Sequence, residues 1–279
     1  MYSAYFVKKN GQRFSFGYEN GILFDISPLA ELDVDIGSNQ GFGQIGETVQ
    51  TQGLSGLTRT ISGKIIDNSK KSQLISIFSP FSEGKLVFEN KWYCDCVVKK
   101  SPEIQVSGIQ VRFSLMLFCP SPYWKSMQES YFSIGVIDPQ FQYPCTLTMH
   151  KFGAKNENAF VNVLNKGEKT NDFTISFFAS LPVENYGITN VITGEFISLN
   201  DTLQAGEEVN IYRENGILRV KKTSGDIVSD IFSKLDEDSN MFYLQNGDNL
   251  LTMSADSGLE YLSCAISFYT AKSGVYDGM

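Results

Sequence analysis

Gly108-Ile109-Gln110-Val111-Arg112-Phe113-Ser114-Leu115-Met116-Leu117-Phe118 runs directly into Cys119-Pro120-Ser121-Pro122-Tyr123-Trp124, and the way the first stretch ends decides the fold. Ile109, Val111, Phe113, Leu115 and Leu117 recur with a period of two, so one face of a strand over 108–118 points at a core. The strand cannot continue past it, because two prolines within three residues remove ladder donors and bias the preceding residues toward extended geometry. Tyr123 and Trp124 then supply a large apolar anchor. The stretch reads as a seam between two β domains, 1–120 and 121–279, with Pro120, Pro122, Tyr123 and Trp124 as the seam residues and Trp124 packed at the junction.

The rest of the chain agrees with that division. Its 279 residues are long for one small β domain and comfortable for two. Hydrophobic residues make up 42% and charged residues 19%, and 21 Phe with 13 Tyr favour sheets. On the N-terminal side, Lys8-Lys9-Asn10-Gly11-Gln12 marks an opening hairpin. Leu57 to Ile66 alternates as a strand, and Asp67-Asn68-Ser69 caps a short helix over 70–78, whose Leu74, Ile77 and Phe78 face the sheet. A second hairpin turns about Asn90-Lys91, with Trp92, Cys94, Cys96 and Val98 on one face. Beyond the seam, eleven short stretches read as strands between turn residues, which predicts a two-sheet sandwich; 227–235 reads as a short helix-like interruption. Asp236-Glu237-Asp238-Ser239-Asn240 reads as a solvated acidic turn, since it lacks the ligand spacing of a calcium loop.

Between Ser38 and Gly56 the chain is rich in Gly, Gln and Thr, too flexible and polar for a core strand, and reads as an exposed excursion or arm. Gly41, Phe42, Gly43, Ile45, Gly46 and Gly53 lie within that excursion.

Charge and composition exclude several classes of function. Residues 1–120 hold 12 basic and 11 acidic side chains, and 121–279 hold 11 and 20, so the net −8 lies in the second part. No basic stripe suits sequence-independent nucleic-acid binding. No window approaches the roughly 18 apolar residues of a membrane span, and the N-terminus lacks a leader pattern, so a soluble, cytosol-made chain is expected. Cys94, Cys96, Cys119, Cys145 and Cys264 are odd in number and scattered, as expected of reduced structural thiols. His150 is the single histidine, and there is no nucleophile elbow, phosphate loop or clustered ligand set. Asp33 and Asp35 are an unspecific carboxylate pair. No catalytic, cofactor-binding or metal-ligating residue is nominated, and the chain is expected not to be an enzyme.

Arg59-Thr60-Ile61-Ser62-Gly63-Lys64-Ile65, a short helix, Gly84-Lys85-Leu86 and Phe118 to Trp124 together resemble the first domain of the distal tail proteins of long-tailed, non-contractile phages. Residues 190–197, 205–211 and 244–249 and the terminal Ser273-Gly274-Val275-Tyr276 look like successive landmarks of that family's C-terminal domain. The resemblance spans about 220 residues. It implies an N-terminal β-sandwich or split-barrel-like ring domain with one short helix, and a galectin-like C-terminal β-sandwich that projects outward. It also implies a structural hub at the virion tail tip, a ring of usually six copies that joins the tail tube to the baseplate or tip fibre and lets DNA pass. The implied partners are further copies of the chain, embraced by the arm, together with the tail tube, tape measure and tip or receptor-binding proteins. Carbohydrate-binding insertions known in some members have no room here. Two rival readings are a glycan-binding module stacking sugars on Tyr186, Tyr212 or Tyr243, and a polysaccharide-degrading tail enzyme, for which no carboxylate pair is nominated.

Overall fold

The computed structural model of the chain describes residues 2–135, 137–138, 154–155, 160–214 and 216–275. His150, Cys145 and the strand expected over 145–149 lie outside the described residues. The chain divides into two compact units, Met1–Gln128 with Ala271–Met279, and Glu129–Thr270. The division therefore falls after Gln128 rather than at Pro120, and the chain returns to the first unit at its far end.

The first unit contains β1 (Ala4–Lys8), β2 (Arg13–Phe16), β3 (Ile22–Ser27), β4 (Val34–Asn39), β5 (Thr48–Leu54), β6 (Leu57–Ile65), α1 (Lys70–Ile77), β7 (Glu83–Phe88), β8 (Trp92–Ser107) and β9 (Gln110–Cys119). The opening residues of β10 (Trp124–Ile134) also belong to it. Antiparallel pairing runs in the order β2-β1-β7-β8-β9-β6-β3, and a bridge between Gly17 and Ile22 brings its two ends together. A sheet that curls back on itself in this way encloses its core: Phe6, Phe14, Phe16, Ile22, Ile61, Leu86, Leu115, Leu117 and Trp124 are all buried. Leu74, Ile77 and Phe78 of the helix region plug it, as their spacing predicts. Asp67 accepts a hydrogen bond from the Ser69 backbone N–H at 2.9 Å, which orders the turn before the helix.

Two details differ from the sequence reading. Ile109 is fully exposed (101%), because the turn at Gly108, with φ +59°, precedes β9 and leaves only Val111, Phe113, Leu115 and Leu117 pointing inward. The β7–β8 turn is centred on Glu89 and Asn90, both left-handed (φ +52° and +55°), one residue before the expected pair. Two positive φ values in succession give the twist that suits a tight hairpin.

The second unit is a two-layer β structure. One layer runs β19 (Ile227–Asp230), β18 (Ile217–Ser224), β17 (Glu208–Glu214), β14 (Phe173–Ala179) and β21 (Leu262–Lys272); the other is a four-stranded sheet of β13 (Phe160–Asn165), β20 (Gly247–Ser257), β15 (Val183–Asn190) and β16 (Phe196–Leu203). Between them Phe177 meets Tyr186 edge-on at 5.2 Å, and Phe173 lies 5.4 Å from Phe242. Short strands β11 (Ile137–Asp138) and β12 (Ala154–Lys155) pair with each other. The expected helix-like interruption over 227–235 is a correction: Ile227–Asp230 is a strand paired with β18, followed by a single 3-10 turn at Phe232–Lys234. Its Ile and Val residues favour the sheet edge over a short uncapped helix.

Candidate functional site

The segment expected to be an arm is an ordered ribbon. Val34 pairs with Leu54 and Asn39 with Thr48, with an irregularity between Gly37 and Ser38, and every residue of β4 and β5 is exposed. Polar contacts hold its tip: Gly41 N–H donates to Gln44 Oε1 and the Gln40 side chain to the Gln44 carbonyl, both at 3.0 Å, while Ser38 bonds Glu47. Gly43 and Gly46 take φ of +77° and +84°, which residues with a Cβ rarely adopt. Gly41 and Gly53 lie at the tip and in β5. Phe42 and Ile45 stand free of all cover at 112% and 101% exposure, and Val34, Ile36, Val49 and Leu54 are exposed along the strands. A two-stranded ribbon that buries nothing is marginal by itself. The glycine and glutamine content disclosed the exposure; the ribbon's first strand begins earlier than Ser38, so Val34 and Ile36 were missed.

Two of the four seam residues, Pro122 and Trp124, meet one buried arginine, Arg59. Pro120 is exposed and Pro122 buried in the connection after β9, and Tyr123 is half-buried. Trp124 is fully buried in the first unit's own core, not at a junction as the sequence suggests; its indole N–H donates to the Leu29 carbonyl at 3.0 Å, and its ring lies 5.9 Å from Phe88. Arg59 is equally buried, with its guanidinium carbon 4.3 Å from the Trp124 ring centre. Its two Nη groups donate to the carbonyls of Pro28 and, at 2.7 Å, of Pro122. One planar fork thus fixes the loops before β4 and after β9, a task its rigid donor geometry suits. Nothing in the sequence pattern separates this arginine from a surface one on a half-exposed strand.

In the second unit, the sugar-stacking reading loses one of its three aromatics, because Tyr186 is fully buried between the layers. Its hydroxyl has no hydrogen-bond partner among the described residues, and burial pushes its pKa up. Tyr212 is half-buried, and the Lys169 ammonium covers the Tyr243 ring at 4.2 Å. Near Tyr186, the Lys222 ammonium donates to Asp201 and Glu207 at 2.9 Å each and to the Thr202 carbonyl at 2.7 Å, which latches β18 to β16. Burial alone would push Glu207 up, but the Lys222 hydrogen bond and charge hold it below the ordinary carboxylate range. No group of three His, Cys, Asp or Glu side chains among the described residues is arranged to hold a metal ion, and none of their helices is long and apolar enough to cross a membrane.

Residues 166–268, which lie within the second unit, match the family described as siphovirus-type tail component, C-terminal domain. Over that part, less than half of the chain, the sequence is similar to phage tail components. Within that class the chain is similar to distal tail proteins, and its mainly β fold agrees. The crystal structure of SPP1 Dit (gp 19.1), titled a paradigm of hub adsorption apparatus in Gram-positive infecting phages, matches with a TM-score of 0.66 at 12% identity, over 96% of this chain and 99% of that one. Two structures of the phage P2 baseplate in its activated conformation, with calcium and with strontium, also match. Their TM-scores are both 0.48 and their identities 12% and 13%, over 100% and 96% of this chain and 99% and 97% of theirs. No curated protein sequence matches.

Proposed function

We propose that the chain is the ring-forming hub of a phage tail tip, without enzymatic activity, in which copies of the first unit, six in the expected ring, close around a channel that passes DNA. The hub joins the tail tube to the baseplate or tip fibre, and its neighbours are the tail tube, tape measure and tip or receptor-binding proteins. The observation that carries this reading is the ribbon Val34–Leu54, which displays Phe42 and Ile45 uncovered and buries none of its own residues. On a neighbouring copy those side chains gain the apolar cover that this chain does not provide. The absence of a basic stripe suits a channel that must release a polyanion rather than grip it.

Negative-stain microscopy of the concentrated full chain, with its solution mass by light scattering, tests the proposal. Rings of about six subunits with a central hole are expected, alone or seeded on polymerised tail tubes. A chain that stays monomeric in both settings overturns it.

A further inference from the structure

Three thiols meet in the first unit. Cys94, Cys96 and Cys119 are all buried, and the Sγ atoms of Cys94 and Cys119 are 3.7 Å apart. Pairing of Val98 with Leu117 and of Val97 with Phe118 carries Cys96 opposite Cys119 one step further along the same register. Directly opposed residues in an antiparallel pair have Cα atoms about 4.5–5.5 Å apart, inside the roughly 4.4–6.8 Å that a disulfide spans. Cys94 is the diagonal neighbour, for which about 7–8 Å is typical. It shares a sulfur–sulfur hydrogen bond with Cys119, but Cys96 is the one placed to bridge.

A buried cation accompanies the thiols. β6 sets Leu57 opposite Cys119 and Arg59 opposite Leu117, so the arginine shares the core face of Cys119, two residues along. Its Nη groups donate to neutral carbonyls, its Nε is buried without a hydrogen-bond partner, and no carboxylate pairs with it among the described residues. A fully buried guanidinium favours an anion beside it. Hydrogen bonds from the Cys94 and Cys96 thiols, and then the Arg59 charge, hold Cys119 well below the ordinary thiol range. Burial pushes Cys94 up, and its bond to Cys119 pushes Cys96 up.

We propose that Cys96 and Cys119 are a redox pair that closes to a disulfide between β8 and β9, with Cys119 as the attacking sulfur and Cys94 and Arg59 as its supports. The oxidant is a peroxide. The Cys119 thiolate attacks one peroxide oxygen, forming an S–O bond and breaking the O–O bond; the departing hydroxide takes a proton and leaves as water. Cys96 then attacks the resulting sulfenic sulfur, forming the S–S bond and breaking the S–O bond, and its proton leaves with the hydroxide as a second water. The two thiols lose two electrons and the peroxide gains them. The inference stands independently of the ring reading.

The test exposes the reduced full chain to hydrogen peroxide overnight under native conditions. The chain is then unfolded, its free thiols are alkylated, and intact mass and non-reducing peptide mapping follow. The expected result is loss of two alkylation sites from the five cysteines, with Cys119 linked to Cys96. The oxidised chain also melts higher than the reduced one. Cys264→Ser keeps the link, and Cys96→Ser abolishes it. Five alkylated thiols after exposure, or a link from Cys119 to Cys94, overturns the pairing; mapping of the unmodified chain decides the matter even if a variant folds poorly.

Discussion

Trp124→Ala tests the reasoning about the buried core of the first unit most severely. The indole is fully buried, so truncation removes its transfer free energy and leaves a cavity, together about 3–5 kcal/mol. The Leu29 carbonyl loses its donor, about 1 kcal/mol more. Arg59 loses the ring under its charge, a further ~1 kcal/mol, and has no carboxylate to replace it. A loss of about 5–7 kcal/mol is a large share of the 5–15 kcal/mol that holds a typical domain together. At about 2–4 °C per kcal/mol, the first unit's melting transition should fall by about 10–28 °C. Calorimetry reads this directly, and Trp92, the only other tryptophan, remains as a fluorescent reporter within the same unit. Trp124→Phe keeps most of the apolar volume and loses the N–H, so its loss should be about 1–2 kcal/mol. A fall of under about 3 °C for Trp124→Ala, or equal losses for the two variants, would refute the account of the clamp.

Phe42→Asp with Ile45→Asp should change stability by less than about 0.5 kcal/mol, since both side chains are fully exposed, yet abolish ring formation in light scattering. Deleting residues 41–53 should leave a folded monomer by circular dichroism, and rings formed by that variant would show that the ribbon is not the inter-subunit contact. Lys222→Met should destabilise the second unit by about 3 kcal/mol in urea titration, because it leaves Asp201 and Glu207 facing each other uncompensated. Glu207 is depressed in the folded chain, so its contribution is present above the unfolded carboxylate value of about 4.3 and is lost as pH falls through the folded value. The Lys222 ammonium is held above its ordinary value by Glu207 and Asp201 against the opposing effect of burial, so its contribution is present below about pH 10.4 and is lost at higher alkalinity. Glu207→Gln should therefore flatten the acid limb of stability against pH and leave the neutral plateau shape unchanged; an unaltered acid limb would remove Glu207 from the latch.

Much of the architecture was legible because periodicity and turn chemistry are local. Val111 to Leu117 alternates into the core, Asn10-Gly11 turns a hairpin, and Leu74, Ile77 and Phe78 lie on one helix face. Resemblance to distal tail proteins added the class, which no local signal contained. What failed to show depends on contacts remote in sequence. Trp124 looked like a junction residue because prolines precede it, yet its partners Leu29, Arg59 and Phe88 come from elsewhere in the first unit. Tyr186 looked available for stacking, since a tyrosine on a sandwich strand reads alike on either face. Cys119 stood far from Cys94 and Cys96 in sequence, and only the register of β8 on β9 unites them.

The return of the chain to its first unit has a kinetic consequence. Val275 is buried in the first unit's core, Gly274 bridges to Ala30, and Lys272 covers the Trp92 ring at 4.9 Å. The second unit is thus an insertion within the first, and everything from Glu129 to Thr270 must leave the ribosome before the first core gains its last strand residues. The usual order, in which the N-terminal domain completes itself first during synthesis, is reversed here. Once Thr270 has emerged, the second unit is able to close while the first still awaits residues 271–275.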